Sequence, residues 1–133
     1  MLAELQHPDM PLHVGLMHPH SPRNTDRWQS GTDDVREQVR ILNQLDFDRI
    51  VYGTDLNSAP AQYRSRLMRA GNLEQSKPLL RMGGTFPATR DQPGVFSIQI
   101  DDVWAKGVNV VAWDRVRVPG SDHFAIIADF AIE

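Results

Sequence analysis

Residues Val51–Pro60, VYGTDLNSAP, predict a short apolar strand that ends in a turn and leads into a helix. Asp55 and Asn57 stand two residues apart where this strand ends, and residues at i and i+2 of an extended chain share one face. A carboxylate and an amide would therefore point at one spot. The same residues also suit a plain turn, in which Asp and Asn break the strand and Ser58 caps the helix.

The composition is that of an ordinary globular domain. The chain has 133 residues, of which 41% are hydrophobic and 23% charged, so we expect one domain over residues 1–133 with a real core. No apolar run is long enough to cross a membrane and no signal peptide is evident, which predicts a soluble protein, cytoplasmic if Met1 is the true N-terminus. The absence of cysteine excludes disulfides and thiolate metal sites.

The order of apolar patterns predicts an α/β domain with a mixed β-sheet and flanking helices. Strands are predicted at Leu2–Gln6, Leu12–Met17, Arg49–Gly53, Ser97–Ala105, Val108–Val116 and Phe124–Ile132. The pair Lys106-Gly107 suits a tight hairpin between the fourth and fifth of these strands.

Two helices are predicted between the early strands. The first runs from Thr32, as N-cap, to Leu45. The second runs from Ala59 to Ala70, with its apolar face formed by Tyr63, Leu67 and Ala70. Residues 23–31 are polar and loop-like. Such a loop, placed after a strand, either shapes a substrate cleft or is an ordinary surface loop.

Three motifs in order resemble one known family. The segments GTDLNSAP at 53–60, IDDVW at 100–104 and GSDHFAIIADF at 120–130 resemble the G-D-x-N, I-D-x-x and S-D-H signatures of the endonuclease/exonuclease/phosphatase superfamily. These are the DNase-I-like metal-dependent phosphoesterases. The HPHSP segment at 18–22 and the TFP segment at 85–87 are similar to two further landmarks of that superfamily.

The resemblance covers only the C-terminal half of the family fold. Complete members are roughly twice as long and form a four-layered α/β sandwich, in which two β-sheets lie between helices and the two halves are approximate repeats. The N-terminal half of the family supplies an Asn and a metal-binding Glu. Glu4 lies in a strand-like segment, but its surroundings do not match, so it is not assigned that role.

Residue chemistry and the resemblance together suggest a catalytic set. His123 suits acid–base work because imidazole titrates near neutrality, and Asp101 is the candidate carboxylate to bond its other ring nitrogen. Asp122 offers a hard oxygen of the kind that Mg²⁺ accepts, and the resemblance implies a metal-site role for it, with Mn²⁺ as the alternative ion. Asp55 would orient or deprotonate the attacking water, or assist the leaving group, and Asn57 would donate to a phosphoryl oxygen.

The remaining candidates leave choices open. His18 matches the family histidine that contacts the phosphate, although it would also suit a solvated turn; His20 is the weaker choice. Asp102 is the fallback for Asp101, because adjacent residues on a strand point to opposite faces and only one can reach the histidine. Thr54 stands where many members read G-D directly, which leaves the register of this motif open.

Two functions remain after these observations. The first is a Mg²⁺-dependent phosphoesterase, whose substrate is a phosphodiester or a phosphomonoester. A net charge of −3 with no basic block disfavours tight duplex DNA binding, although nucleic acids are among the family's substrates. The second is a catalytically incomplete half that needs the missing N-terminal half or a homodimer partner, because an apolar sheet face does not stay open to water.

Overall fold

The strands of this chain form two sheets. The computed structural model describes residues 2–5, 11–88 and 97–132, with side chains described from residue 11 onward. The elements are Leu2–Leu5 (β1), Leu12–Met17 (β2), Thr25–Leu45 (α1), Ile50–Asp55 (β3), Tyr63–Ala70 (α2), Glu74–Gln75 (β4), Asp101–Lys106 (β5), Asn109–Arg117 (β6) and Phe124–Ala131 (β7). Five strands form one sheet in the order β1-β2-β3-β5-β4, and β6 pairs with β7 in a second sheet. The predicted α/β class with a mixed sheet and flanking helices is confirmed.

The directions of the strands bring the ends of three of them together on one side of the larger sheet. Strands β2 and β3 are parallel and are joined by α1, whereas β5 runs antiparallel to β3. The carboxyl ends of β2 and β3 therefore lie beside the amino end of β5. Polar residues at these three strand ends are consequently neighbours in space, although they are far apart in the sequence.

The hydrophobic core lies between the larger sheet and the two helices. Alternate residues of β3 are buried, as expected when one face of a strand packs against helices. The ring of Tyr52 lies so close to Gly15 that a Cβ there would be 2.0 Å from the Tyr52 Cε2 atom, so β2 needs glycine at this position. The buried cluster comprises Val35, Val39, Leu42, Ile50, Tyr52, Leu56, Met68, Leu73 and Trp104.

The first helix begins earlier than predicted. It starts at Thr25, and the side chain of Asn24 caps it by accepting a hydrogen bond from the Arg27 N–H at 2.9 Å. The expectation that residues 23–31 form a loop and that Thr32 is the N-cap was wrong. Thr32 lies inside the helix and is fully buried, and its hydroxyl donates to the Trp28 carbonyl at 2.6 Å. The polar first turns carry no apolar periodicity because they are exposed.

The second helix begins later than predicted and buries a different face. It starts at Tyr63 after the N-cap Gln62, so residues 59–62, including Pro60, form a turn. Its buried residues are Arg64, Ser65 and Met68. Of the predicted apolar face, Leu67 is partly buried and packs against the core, whereas Tyr63 and Ala70 are exposed, so the prediction was wrong for these two residues. The guanidinium of Arg64 is buried because main-chain carbonyls satisfy it, which hydrophobic periodicity does not reveal.

The predicted hairpin between β5 and β6 was also wrong. The chain turns at Gly107, which has a φ of 68°, but β5 stays in the larger sheet, whereas among the described strands β6 pairs with β7 alone. Strand β5 begins at Asp101 rather than at Ser97, and the short strand β4 was not predicted. Gln6, predicted as the end of the first strand, lies outside the described residues. Neither described helix is long and apolar enough to cross a membrane.

Candidate active site

The strand ends bring three of the predicted residues into one cluster. Asp55 is the last residue of β3 and Asp101 the first of β5, and the two lie directly opposite each other in the antiparallel register. His123 immediately precedes β7. One ligand atom from each of the three side chains lies within 4.8 Å of the others. Two carboxylates and an imidazole therefore converge at the edge where the parallel strands end.

His123 is held by a carboxylate and by an aromatic ring. Its Nδ1 lies 2.9 Å from Asp101 Oδ2, and its ring centroid is 4.9 Å from that of Phe86. Burial opposes the charged imidazolium, but the hydrogen bond to Asp101 and the charges of Asp101, Asp55 and Asp122 outweigh it, so the pKa of His123 is raised. The Nδ1 contact leaves Nε2 as the nitrogen that faces a ligand.

The Asp55 carboxylate is partly buried and accepts two contacts. Its Oδ1 accepts a hydrogen bond from the Asn57 backbone N–H at 2.9 Å, and its Oδ2 lies 3.3 Å from His18 Nε2. Burial raises the pKa of Asp55 and the charge of Asp101 adds to this, whereas the Asn57 N–H and the charges of His18 and His123 act in the opposite direction. A carboxyl group with a raised pKa is suited to exchanging a proton with water.

Asn57 and His18 flank Asp55 from two sides. Asn57 has a φ of 49°, and its side-chain amide donates to the Pro19 carbonyl at 3.3 Å, which ties the end of β3 to the loop after β2. Ser58 does not cap the helix, since α2 begins at Tyr63. The His18 side chain is 72% exposed, so it is accessible from the cavity and from solvent.

Asp122 lies next to this cluster but is not one of its three members. It is exposed and lines a cavity of about 500 Å³ together with His18, Asp55, Asn57 and His123. Its backbone carbonyl accepts a hydrogen bond from the Ala88 N–H at 2.6 Å, which fixes the main chain beside His123. Asp122 thus borders the same cavity as the other predicted residues, and its metal-site role stays a prediction.

The neighbouring aspartates of β5 have different surroundings. Asp102 points to the opposite face, where its carboxylate accepts hydrogen bonds from the Ser76 hydroxyl at 2.8 Å and from the Gln75 amide at 3.2 Å. It is 4% exposed, and burial raises its pKa although the hydrogen bonds from the Ser76 hydroxyl and the Val103 N–H oppose the shift. The structure therefore pairs Asp101, and not the fallback Asp102, with His123.

Sequence reasoning missed two residues that hold Asp101 and His123 in place. The Thr85 hydroxyl accepts hydrogen bonds from the backbone N–H groups of Ile100 at 3.2 Å and Asp101 at 3.1 Å. Phe86 packs against the imidazole. The TFP landmark drew attention to this segment, but its sequence did not indicate a contact with Asp101 or His123.

Arg64 is the third residue that sequence reasoning missed. Its guanidinium is 2% exposed and donates to the carbonyls of His20 at 2.9 Å, Leu56 at 3.1 Å and Trp28 at 3.2 Å. Its Nε also donates to the Thr32 hydroxyl at 3.3 Å. One buried cation thereby joins the loop after His18, the segment between Asp55 and Asn57, and the first turns of α1.

Comparison with known proteins gives matches in structure but not in sequence. No protein-family model matches the chain, and no curated protein is significantly similar to it. An endonuclease/exonuclease/phosphatase from Bacteroides vulgatus superposes with a TM-score of 0.70 at 15% identity, covering 99% of this chain and 54% of that one. An AP endonuclease from Archaeoglobus fulgidus has a TM-score of 0.65 at 14% identity, with 91% and 62% covered.

The chain has the endonuclease/exonuclease/phosphatase fold. A mannosyl-6-phosphatase from Bacteroides thetaiotaomicron shares it, with a TM-score of 0.61 at 16% identity over 92% of this chain and 51% of that one. The DNase-I-like resemblance predicted from the motifs is thus confirmed at the level of the fold. The chain spans about half the length of the Bacteroides proteins that it matches.

Proposed function

We propose that this chain hydrolyses a phosphoester by metal-assisted attack of water. The observation that carries the proposal is the His123–Asp101 pair, which faces Asp55 across less than 5 Å in a cavity that Asn57 also lines. Endonuclease and phosphatase are the activities named for proteins of the same fold. Such a reaction needs a group that exchanges a proton, donors that contact the phosphate and a carboxylate that binds the ion.

The proposed roles follow from the contacts of each side chain. Asp55, whose pKa is raised by burial, orients the attacking water and takes its proton. The His123 imidazolium, stabilised through Nδ1 by Asp101, donates from Nε2 to a phosphoryl oxygen or to the leaving oxygen. Asn57 and the exposed His18 donate to the remaining phosphoryl oxygens. Placing these groups in advance lowers the cost of orientation in the transition state.

The donor set fits a magnesium ion. Mg²⁺ is held in proteins by one or two carboxylates together with waters and substrate phosphate oxygens, and the cavity offers the carboxylates of Asp122 and Asp55. When bound, the ion would polarise the phosphoryl group and neutralise its negative charge. His123 is not assigned as a ligand, because the imidazolium proposed above carries a proton on both ring nitrogens and has no lone pair for the ion. Mn²⁺ accepts the same oxygen ligands.

Hydrolysis of bis(p-nitrophenyl) phosphate tests the proposal. We expect release of p-nitrophenolate with Mg²⁺ or Mn²⁺, loss of it with a chelator, and recovery when the ion is returned in excess. Asp122→Asn is expected to raise the concentration of Mg²⁺ needed for half-maximal rate by at least about tenfold, because a hard anionic ligand is replaced by a neutral one. Turnover that is unchanged by chelation would contradict the metal-assisted mechanism.

A second candidate function is that of a half that needs a partner. A cavity of about 640 Å³ lies between the two sheets and is lined by apolar side chains, among them Leu16, Val103, Phe124 and Ile126. Leu16 is 58% exposed on the face of the larger sheet that the helices leave uncovered. A second copy of this chain, related as the two halves of the family fold are, would cover this face and add carboxylates to the site.

Sedimentation in solution tests the second candidate. We expect the wild-type chain to sediment as a dimer and Leu16→Arg to sediment as a monomer, because a guanidinium on this apolar face opposes its burial. A wild-type monomer that unfolds cooperatively would contradict the homodimer.

A further inference from the structure

Two arginines that line the candidate active-site cavity have guanidinium groups without a partner among the described residues. Arg23 and Arg27 border the same cavity of about 500 Å³ as His18, Asn57 and His123. Within the described residues, neither guanidinium group makes a hydrogen bond or an ion pair. We propose that Arg23 and Arg27 form a second anion subsite, which binds a second phosphate group of the substrate. This inference rests on the proposed function, which places the scissile phosphate at His123.

Arg23, which precedes α1, and Arg27, in its first turn, differ from two later arginines of this helix. Arg36 pairs with Asp33 and Arg40 pairs with Glu37, each three residues earlier along α1. These exposed pairs neutralise their own charge, as is usual on a helix surface. Arg23 and Arg27 have no such carboxylate among the described residues, so the positive charge at the beginning of α1 is left for a ligand.

The segment that carries the arginines is fixed to the active site. Asn24 caps the helix at the Arg27 N–H, and the Arg23 N–H donates to the Ser21 carbonyl at 2.8 Å. Arg64 binds the carbonyls of His20 and Trp28 on either side of this segment. The main chain around both arginines is therefore held in place, which reduces the entropy lost when a ligand orders them.

The size of the cavity agrees with a ligand larger than one phosphate. Pockets for small molecules have volumes from about 300 to 1,000 Å³, and this cavity lies within that range. His123, Asp55 and Asn57 reach it from the strand ends, whereas Arg23 and Arg27 reach it from the start of α1. A scissile phosphate at the strand ends would leave the arginines free to bind another anionic group of the same molecule. The ligand class is therefore a bisphosphorylated small molecule.

A pair of matched chromogenic substrates tests the subsite. The p-nitrophenyl ester of thymidine 5′-phosphate carries one anionic phosphate, and its 3′-phosphorylated analogue carries two. We expect the wild-type KM to be about tenfold lower for the second substrate, a difference that a charge-assisted contact produces. In Arg23→Ala/Arg27→Ala this difference should disappear while kcat stays within about twofold, because the variant keeps the hydrolytic cluster. Arg36→Ala/Arg40→Ala is the matched control and should keep the preference.

Binding measurements distinguish failure of the subsite proposal from failure of the proposed function. If the wild type hydrolyses neither substrate, the proposed function fails, and calorimetry with thymidine 3′,5′-bisphosphate against thymidine 5′-phosphate still measures the subsite. Fructose 1,6-bisphosphate against fructose 6-phosphate distinguishes a sugar from a nucleotide as the source of the second phosphate. Tighter binding of at least one bisphosphate, lost in the double variant and weakened by salt, supports the proposal. Equal binding of mono- and bisphosphates in both pairs overturns it.

Discussion

Replacement of His123 by alanine is expected to lower kcat for bis(p-nitrophenyl) phosphate about a thousandfold, the middle of the range for loss of a general acid or base. The reason is that His123 supplies the imidazole that faces the cavity beside Asp55, already bonded at Nδ1 by Asp101. The KM should change far less than kcat, because most of its interaction with the phosphoryl group develops in the transition state. Steady-state kinetics with Mg²⁺ measure both quantities.

The pH dependence of Asp101→Asn and the circular dichroism of His123→Ala show whether the lost activity reflects lost chemistry or lost structure. The pKa of His123 is raised mainly through Asp101, so the imidazolium persists to higher pH than in a free histidine. In Asp101→Asn the rate that depends on the imidazolium should fall off at lower pH than in the wild type. His123→Ala should keep the far-ultraviolet circular dichroism of the wild type. Retention of more than a tenth of wild-type kcat by His123→Ala would exclude the acid role.

Replacement of Arg64 by methionine is expected to cost about 3 kcal/mol of unfolding free energy. Methionine fills similar space but removes the guanidinium donor from the buried carbonyl of Leu56 and from the partly buried carbonyls of His20 and Trp28. The Trp28 carbonyl keeps the Thr32 hydroxyl as a donor. For a domain of this size, the melting temperature should fall by roughly 10 °C. Because these carbonyls belong to segments that border the cavity, kcat should fall as well, even at temperatures where the variant is folded.

Arg40→Met is the matched control for this variant. Arg40 is an exposed arginine paired with Glu37 on α1, and its loss should change the unfolding free energy by less than about 0.5 kcal/mol. Arg64→Lys keeps the charge but cannot reach all four acceptors, so we expect a stability between those of the wild type and Arg64→Met. Equal melting temperatures for Arg64→Met and Arg40→Met would show that the buried contacts contribute little.

The fold was predictable where hydrophobic periodicity and motif order agree. The strands β2 and β3 and the second half of α1 have clear patterns, because one face of each packs against the core. Strand β7 was also predicted, although it is only half-buried along most of its length. The first turns of α1 were missed because a capped, exposed helical segment has no apolar face to detect. The sheet assignment of β5 and β6 was missed because a glycine turn alone does not specify which strands pair.

The candidate site was predictable to the extent that its residues stand in motifs. Asp55, Asp101 and His123 were singled out from sequence, and the structure brings them together. Arg64 was not, since its function depends on main-chain carbonyls from three separate segments that the sequence does not display as partners. Arg23 and Arg27 were likewise missed, because their position depends on a helical start that the sequence pattern does not predict.

The two consecutive aspartates of β5 have a consequence for how this strand finds its alignment. A shift of one residue would leave a carboxylate at only one of the two positions: Asp102 beside the imidazole with Val103 in the interior, or Asp101 in the interior with Ile100 beside the imidazole. Only the observed alignment gives both the imidazole and the interior their carboxylate. Trp104 reinforces this alignment, because its indole Nε1 donates to the Thr54 hydroxyl at 3.2 Å while its ring is fully buried. The threonine that separates Gly53 from Asp55 therefore helps to determine which aspartate reaches His123.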